Sequence, residues 1–126
     1  MDTLHKNERI CSKILIERMF TGGVSFSFSM FPLRVVCMPL EEAEEPVSLL
    51  VSVSKRKFKR AVKRNRVKRQ IREAYRKNKS VLRDVVAQSD KKAALAFIYL
   101  SDELVPSEVI EEKMKLALIR IAEKWA

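Results

Sequence analysis

The fold is decided by the stretch from Val51 to Lys79, which reads VSVSKRKFKRAVKRNRVKRQIREAYRKNK. It changes from strand-like alternation to helical spacing. At 100° per residue, one side of the helix holds Val67, Ile71, Ala74, Tyr75 and Asn78. The opposite side holds Asn65, Arg69, Arg72 and Arg76. Arg64 and Lys68 fall at the edge of the apolar side, where long stems can lie along a core. The spacing predicts a helix with one buried and one cationic side.

Positive charge is concentrated in this same segment. Residues 55–79 hold fourteen of the 26 Lys and Arg but only one of the 16 acids, Glu73, so the net charge of +10 arises here. Solvated helices usually mix signs for i,i+4 pairing, whereas this run repels itself unless a polyanion offsets it. A membrane-surface or calmodulin-target helix would carry larger apolar residues than this side, where only Tyr75 is large. The segment therefore predicts contact with nucleic acid.

Elements on either side indicate an α+β fold. Residues 9–20 have helical spacing before Gly22 and Gly23. Residues 24–38 are rich in aromatic and β-branched residues, typical of a strand, with a break allowed near Pro32. The acidic segment 41–46 separates them from a second strand, 47–54, and the simplest interpretation is an antiparallel hairpin with an acidic loop.

The C-terminal part completes the order. Residues 92–100 are apolar and suit a buried strand, and a last helix begins near Ser107. Its apolar stripe is Ile110, Met114, Ala117, Leu118, Ile121 and Trp125. The sequence predicts one domain, residues 1–126, with the order α-β-β-α-β-α and a mainly antiparallel sheet packed with helices.

Other function classes find little support. The longest apolar run has eight residues, from Ala93 to Leu100, too short for a membrane span. Charged residues come before any apolar stretch near the N-terminus, so we expect no secretory signal and a cytoplasmic protein. Cys11 and Cys37 lack metal-ligand spacing, and His5 is the single histidine, so we expect two small hydrophobes and no metal site. No catalytic constellation is visible, and no catalytic residue is expected in the protein.

The segment from Val51 to Arg76 resembles the signature of ribonuclease P protein components. The matching features are a strand ending in Ser-x-Ser-Lys, a basic loop, Ala-Val, the triplet Arg64-Asn65-Arg66, then Lys-Arg and Arg-Glu-Ala. The resemblance extends over nearly the whole chain, since the first helix, the aromatic strand and the closing strand and helix follow the family order. It implies the fold of the second domain of ribosomal protein S5, with a left-handed β-α-β crossover, against the usual right-handed rule.

The resemblance also implies a function: assisting a catalytic RNA to remove the 5′ leader of precursor tRNA. The active site and its Mg²⁺ would belong to the RNA, and the expected partners are that RNA and precursor tRNA, without a membrane or an obligate protein partner. The triplet and its neighbours Lys63, Lys68, Arg69 and Arg72 are implied to contact the RNA. The predicted RNA-binding set also includes Lys55, Arg56, Lys57, Arg60 and Arg76.

A cleft between the first helix and the sheet is implied to hold the single-stranded leader. Phe20 takes the family's aromatic position, whereas Ile16 stands where many members carry a second aromatic. Phe26 and Phe28 are balanced between the cleft and the core, and Phe31 is expected in the core. Two other classes compete: a ribosomal or ribosome-assembly protein that supports no cleavage, and an architectural DNA-binding protein, for which no groove-reading motif is present.

Overall fold

A hairpin opens the part of the chain that the computed structural model describes, which is residues 26–40 and 46–125. Strand β1 (Phe26–Met30) and strand β2 (Leu33–Leu40) pair antiparallel, with Met30 opposite Leu33, around a turn at Phe31 and Pro32. The strand predicted for residues 24–38, with a break allowed near Pro32, is therefore two strands separated at that proline. Pro32 cannot donate a ladder hydrogen bond, and the chain reverses there.

The predicted hairpin between β2 and β3 (Val47–Ser52) is wrong. The sheet order is β1-β2-β4-β3, so β4 (Lys92–Tyr99) lies between them, antiparallel to β2 and parallel to β3. The burial of β4 explains its place, because Ala93–Phe97 is buried throughout and only a central strand is covered on both faces. Parallel neighbours need a long crossover, which the basic segment supplies.

Three helices complete the described fold: α1 (Ala61–Asn78), α2 (Ser80–Ala87) and α3 (Ser107–Trp125). The buried residues of α1 are the five predicted from the spacing. The predicted stripe of α3 is buried from Ile110 to Ile121, with Trp125 half-buried at its end. Helix α2 was not predicted, although Leu82 and Val86 lie one turn apart and both are buried.

The main core lies between one face of the sheet and the helices. Phe97 of β4 and Tyr75 of α1 meet with ring centroids 6.4 Å apart. Cys37 is also buried there, as predicted, and its burial raises the pKa of the thiol to about 12. The opposite face carries a smaller apolar cluster formed by Val36, Met38, Ala94 and Ala96. The prediction of an α+β fold with a mainly antiparallel sheet is confirmed, while the crossover's handedness stays a prediction.

Polar side chains connect the helices to the loops. The Nε2 of Gln70 donates to the carbonyl of Val105 and to the Ser107 hydroxyl at 3.2 and 3.0 Å, which joins α1 to the start of α3. The indole N–H of Trp125 donates to the Ser89 hydroxyl at 3.0 Å. Both ends of α3 are therefore fixed to the crossover. The predicted first helix, Cys11, Ile16, Phe20 and the acidic loop 41–45 lie outside the described residues.

Candidate RNA-binding surface

The outward side of α1 is most exposed over its N-terminal half. Asn65, Arg66 and Arg69 are exposed on the side away from the buried stripe, and Lys63 is exposed in the first turn. Arg64 and Lys68 are half-buried at the edge of the stripe, as the spacing predicts. Within the described residues, no side-chain hydrogen bond or ion pair engages Lys63, Arg66 or Arg69. These three cations are available to a partner.

The first turn of α1 departs from ordinary helix chemistry. It contains no acid, and its N-cap, Arg60, makes no side-chain capping hydrogen bond. A helix N-terminus has unpaired N–H groups and a partial positive charge, which favour anions, so cations there cost stability. Lys63 and Arg64 nevertheless occupy this turn. The helix terminus and its side chains together form a strongly anion-attracting surface.

The loop before α1, residues 53–60, is anchored to the end of the sheet. The carbonyl of Ser54 accepts the backbone N–H groups of Lys57 and Phe58, both at 3.2 Å, and its hydroxyl accepts the N–H of Arg56 at 3.1 Å. Phe58 is buried, with its ring centroid 5.9 Å from that of Tyr99. The aromatic anchor holds the loop in place while its cations, Lys55, Arg56, Lys57, Lys59 and Arg60, remain exposed.

Two cations of this segment donate to backbone carbonyls. The Nη1 of Arg64 donates to the carbonyls of Phe58 and Lys59 at 2.8 and 2.9 Å. The Nζ of Lys57 donates to the carbonyl of Leu100 beyond β4. Arg64 therefore connects the first turn of α1 to the basic loop, a role that the sequence does not reveal. Its remaining guanidinium nitrogens can still face a phosphate.

An open groove lies beside the loop. It has a volume of about 460 Å³ and runs between the basic wall Lys57–Arg60 with Lys63 and a second wall at Asp102, Glu103 and Leu104. The hydroxyl of Tyr99, whose ring meets that of Phe58, donates to the carbonyl of Glu103 in the second wall at 2.8 Å. Burial raises the pKa of Tyr99, which keeps it a neutral donor. The carboxylates restrict an anionic ligand to the basic wall.

The C-terminal half of α1 is more internally paired. Arg76 forms an ion pair with Glu73 at 2.9 Å, and this hydrogen bond, with the charges of Arg76 and Lys77, lowers the pKa of the carboxyl. Lys77 lies 3.9 Å from Glu111 of α3. Arg72 is half-buried and has an interaction within the protein. Arg76 and Lys77 also suit the negative end of the helix dipole, so local stability accounts for much of their charge.

The residues predicted for the leader cleft are divided. Phe20 and Ile16 lie outside the described residues. Phe26 and Phe28 are half-buried on the sheet face that carries the main core, and each has a cation from α3 over its ring. The expectation that Phe31 belongs to the core is wrong, because its side chain is 65% exposed in the β1–β2 turn. The alternation that predicted burial ends where Pro32 turns the chain.

The sequence of this chain is similar to that of known proteins over most of its length. A family model described as Ribonuclease P matches residues 4–117, most of the chain. This chain belongs to the ribonuclease P protein family. A curated ribonuclease P protein component of Porphyromonas gingivalis is 46% identical over 120 residues, covering 94% of this chain and 86% of the relative. One of Chlorobaculum tepidum is 35% identical over 104 residues, covering 78% and 68%.

Solved structures agree on the fold. The ribonuclease P protein of Staphylococcus aureus superimposes with a TM-score of 0.73 at 22% identity, covering 96% of this chain and all of that one. That of Thermotoga maritima gives 0.64 at 22% identity, covering 86% and 90%. Ribonuclease P protein components take part in tRNA processing together with an RNA subunit. Membership of this family removes support for the ribosome-assembly alternative.

Sequence reasoning missed three residues: Phe58 in the basic loop, and Arg120 and Lys124 of α3, which lie away from that loop. Phe58 was not singled out, although an aromatic residue within a basic loop is a recognisable sign of an anchor. Arg120 and Lys124 had no local signal, because the rings they cover lie near the other end of the chain. Within residues 26–40 and 46–125, no helix is long and apolar enough to span a membrane, and no cluster of three His, Cys, Asp or Glu is placed to hold a metal.

Proposed function

We propose that this chain binds the catalytic RNA of ribonuclease P through the basic loop and the N-terminal half of α1, and helps to place the 5′ leader of precursor tRNA. The observation that carries the proposal is the unpaired cationic group at the start of α1, where Lys63, Arg66 and Arg69 are exposed beside an anchored basic loop. Cations at a helix N-terminus lower stability in the free protein, and a bound phosphate backbone would neutralise them.

The chemistry of cleavage belongs to the RNA in this proposal. The described surface offers mainly cations, and the acids Asp102 and Glu103 lie on the wall of the groove that faces the basic loop and Lys63. Such a donor set repels a divalent cation, so the protein side chains do not fit a resident Mg²⁺. Their contribution is to reduce repulsion between RNA phosphates, which lowers the concentration of free magnesium needed for the active RNA conformation.

The test is cleavage of a 5′-labelled precursor tRNA by ribonuclease P RNA from the same organism, at low magnesium, with and without the protein. We expect accurate cleavage at the mature 5′ end that depends on protein. Arg66→Gln should weaken this stimulation, whereas Lys91→Gln, which removes an exposed charge outside the basic segment, should not. Tight RNA binding without any stimulation would contradict the proposal and favour a binding module.

A further inference from the structure

A second cationic surface lies on α3, separate from the basic segment. The Cζ of Arg120 is 4.5 Å from the ring centroid of Phe28, and the Nζ of Lys124 is 4.5 Å from that of Phe26. The two cations are one helical turn apart, and the two rings are two residues apart on β1. Each cation remains exposed while its ring is half-buried. The result is a pair of stacked cation–ring contacts, which we call the β1-edge pair.

The sheet order separates this pair from the basic segment. Strand β1 is at one edge of the sheet and β3, which leads into the basic loop, is at the other. Two strands lie between them, a spacing of about 14 Å from β1 to β3 at 4.7–4.9 Å per strand. A ligand held at both places would therefore have to extend across the sheet.

In the part of the chain that the structure describes, the charges of the β1-edge pair lack an acidic partner. Arg120 and Lys124 have an i,i+4 relation, in which like charges repel. Within the described residues neither forms an ion pair, and Glu123 beside them does not bind either one. The aromatic rings fix the positions of the two cations without neutralising them, since a ring provides only its quadrupole. Fixed, exposed and unneutralised cations favour an anionic ligand.

We propose that Arg120 and Lys124 form a second phosphate-binding site that takes the backbone of an RNA strand. The inference rests on the proposed function, which brings RNA to this protein. The planar guanidinium and the ammonium can each bind a phosphate, and their separation by one turn suits successive groups of one strand. Among the described residues no strand pairs with the outer edge of β1, so an extended single strand of RNA is the first ligand to test.

Both ring faces nearest α3 are already covered, so bases do not stack there. Phe26 and Phe28 therefore act as positioning residues for the cations, and the phosphates make the contact. This changes the prediction for the two phenylalanines: they support the RNA contact from beneath and are not platforms for bases on that side.

The experiment measures the salt dependence of RNA affinity for the double variant Arg120→Gln with Lys124→Gln. Its matched control is Lys115→Gln with Lys91→Gln, which removes two exposed charges away from the rings. Loss of two phosphate contacts to a single strand reduces the slope of log affinity against log salt by about 1.4. The ratio of wild-type affinity to variant affinity should then fall about sevenfold when the salt concentration rises from 50 to 200 mM. The control should keep the wild-type slope.

Separate arms identify the RNA. One arm uses ribonuclease P RNA alone, and the other uses the assembled holoenzyme with precursor tRNA that has either a long leader or none. A slope change in either arm supports the site, and the arm in which it occurs names the strand. The exchange variant Arg120→Lys with Lys124→Arg, which keeps both charges, should retain the slope. Melting temperatures of all variants establish that they are folded.

Equal slopes for the two double variants in every arm would overturn the proposal. So would loss of binding to anionic lipid vesicles in the β1-edge variant while RNA binding is unchanged, because this would assign the site to a membrane surface. These failures are distinct from failure of the proposed function, in which wild-type protein itself would not stimulate cleavage at low magnesium.

Discussion

Replacing Arg64 by Met tests whether this residue fixes the basic loop. The change keeps an unbranched side chain of high helix propensity but removes the Nη1 that donates to the carbonyls of Phe58 and Lys59 at 2.8 and 2.9 Å. Buried hydrogen bonds to charged groups contribute about 1.5–3 kcal/mol each. Since Arg64 is half-exposed and both carbonyls can turn to water, we expect a total loss of about 1–2 kcal/mol. The melting temperature should fall by about 4–8 °C for a domain of this size.

The matched variant is Arg66→Met, which removes the same charge two residues away from an exposed, unpaired position. Thermal melting without RNA should leave it within about 0.5 kcal/mol of wild type. In RNA binding, Arg66→Met should reduce the salt slope by about 0.7–0.9, the value for one phosphate contact. If Arg64→Met melts like wild type and lowers the slope as Arg66→Met does, the loop-fixing role is refuted, and Arg64 is an ordinary phosphate ligand.

Three other predictions concern the core and the charges. Burial raises the pKa of the Cys37 thiol from 9.0 to about 12, so in a Cys11→Ala variant this thiol should resist Ellman's reagent at pH 8 until guanidinium unfolds the protein. For the same reason the free energy of unfolding should fall as the pH rises above about 9. Rapid labelling of the native protein would contradict this prediction. Ile71→Ala should lower the free energy of unfolding, measured with denaturant, by about 2–5 kcal/mol, because the side chain is buried. The control Val62→Ala, at a position that is 79% exposed, should lower it by about 0.5 kcal/mol or less. Similar losses for the two variants would contradict the assignment of a buried and an exposed side to α1. The hydrogen bond and charge of Arg76 lower the pKa of the Glu73 carboxyl, so the stability that this carboxylate contributes is lost as the pH falls through the lowered pKa. Glu73→Gln should therefore make the protein less sensitive to acid, and it should tighten RNA binding at low salt because one negative charge is removed. Unchanged RNA affinity at low salt would argue against an electrostatic interface.

Local periodicity predicted the helices well where burial is one-sided. The five buried residues of α1 and the stripe of α3 follow directly from 3.6 residues per turn, because each helix covers a single apolar surface. The exposure of Asn65 and Arg69 follows from the same count, whereas that of Lys63, which lies one turn before the buried Val67, does not. These parts of the fold and the candidate site could therefore be predicted from the sequence alone.

Strand pairing could not be predicted in the same way. Composition indicated strands at 24–38 and 47–54, but it did not indicate that β4 lies between them in the sheet. The position of β4 depends on its pairing with β2 and β3, which are distant in sequence and meet β4 only after the crossover. Local spacing also cannot reveal which side chain meets which backbone group. The bonds of Arg64 depend on the path of the loop, and the partners of Phe26 and Phe28 come from the last helix.

The parallel pairing of β3 with β4 confines the most highly charged part of the chain between two neighbouring strands. Pairing of β3 with β4 therefore brings the fourteen cations of residues 55–79 close together in the crossover, and their mutual repulsion opposes folding. Anions that gather around the crossover relieve this repulsion, and a ligand that binds only the folded form adds about 2.7 kcal/mol at a concentration one hundred times its Kd. Assembly with RNA and completion of the sheet are thus thermodynamically linked, and the anions in solution help to set how much of the chain is folded.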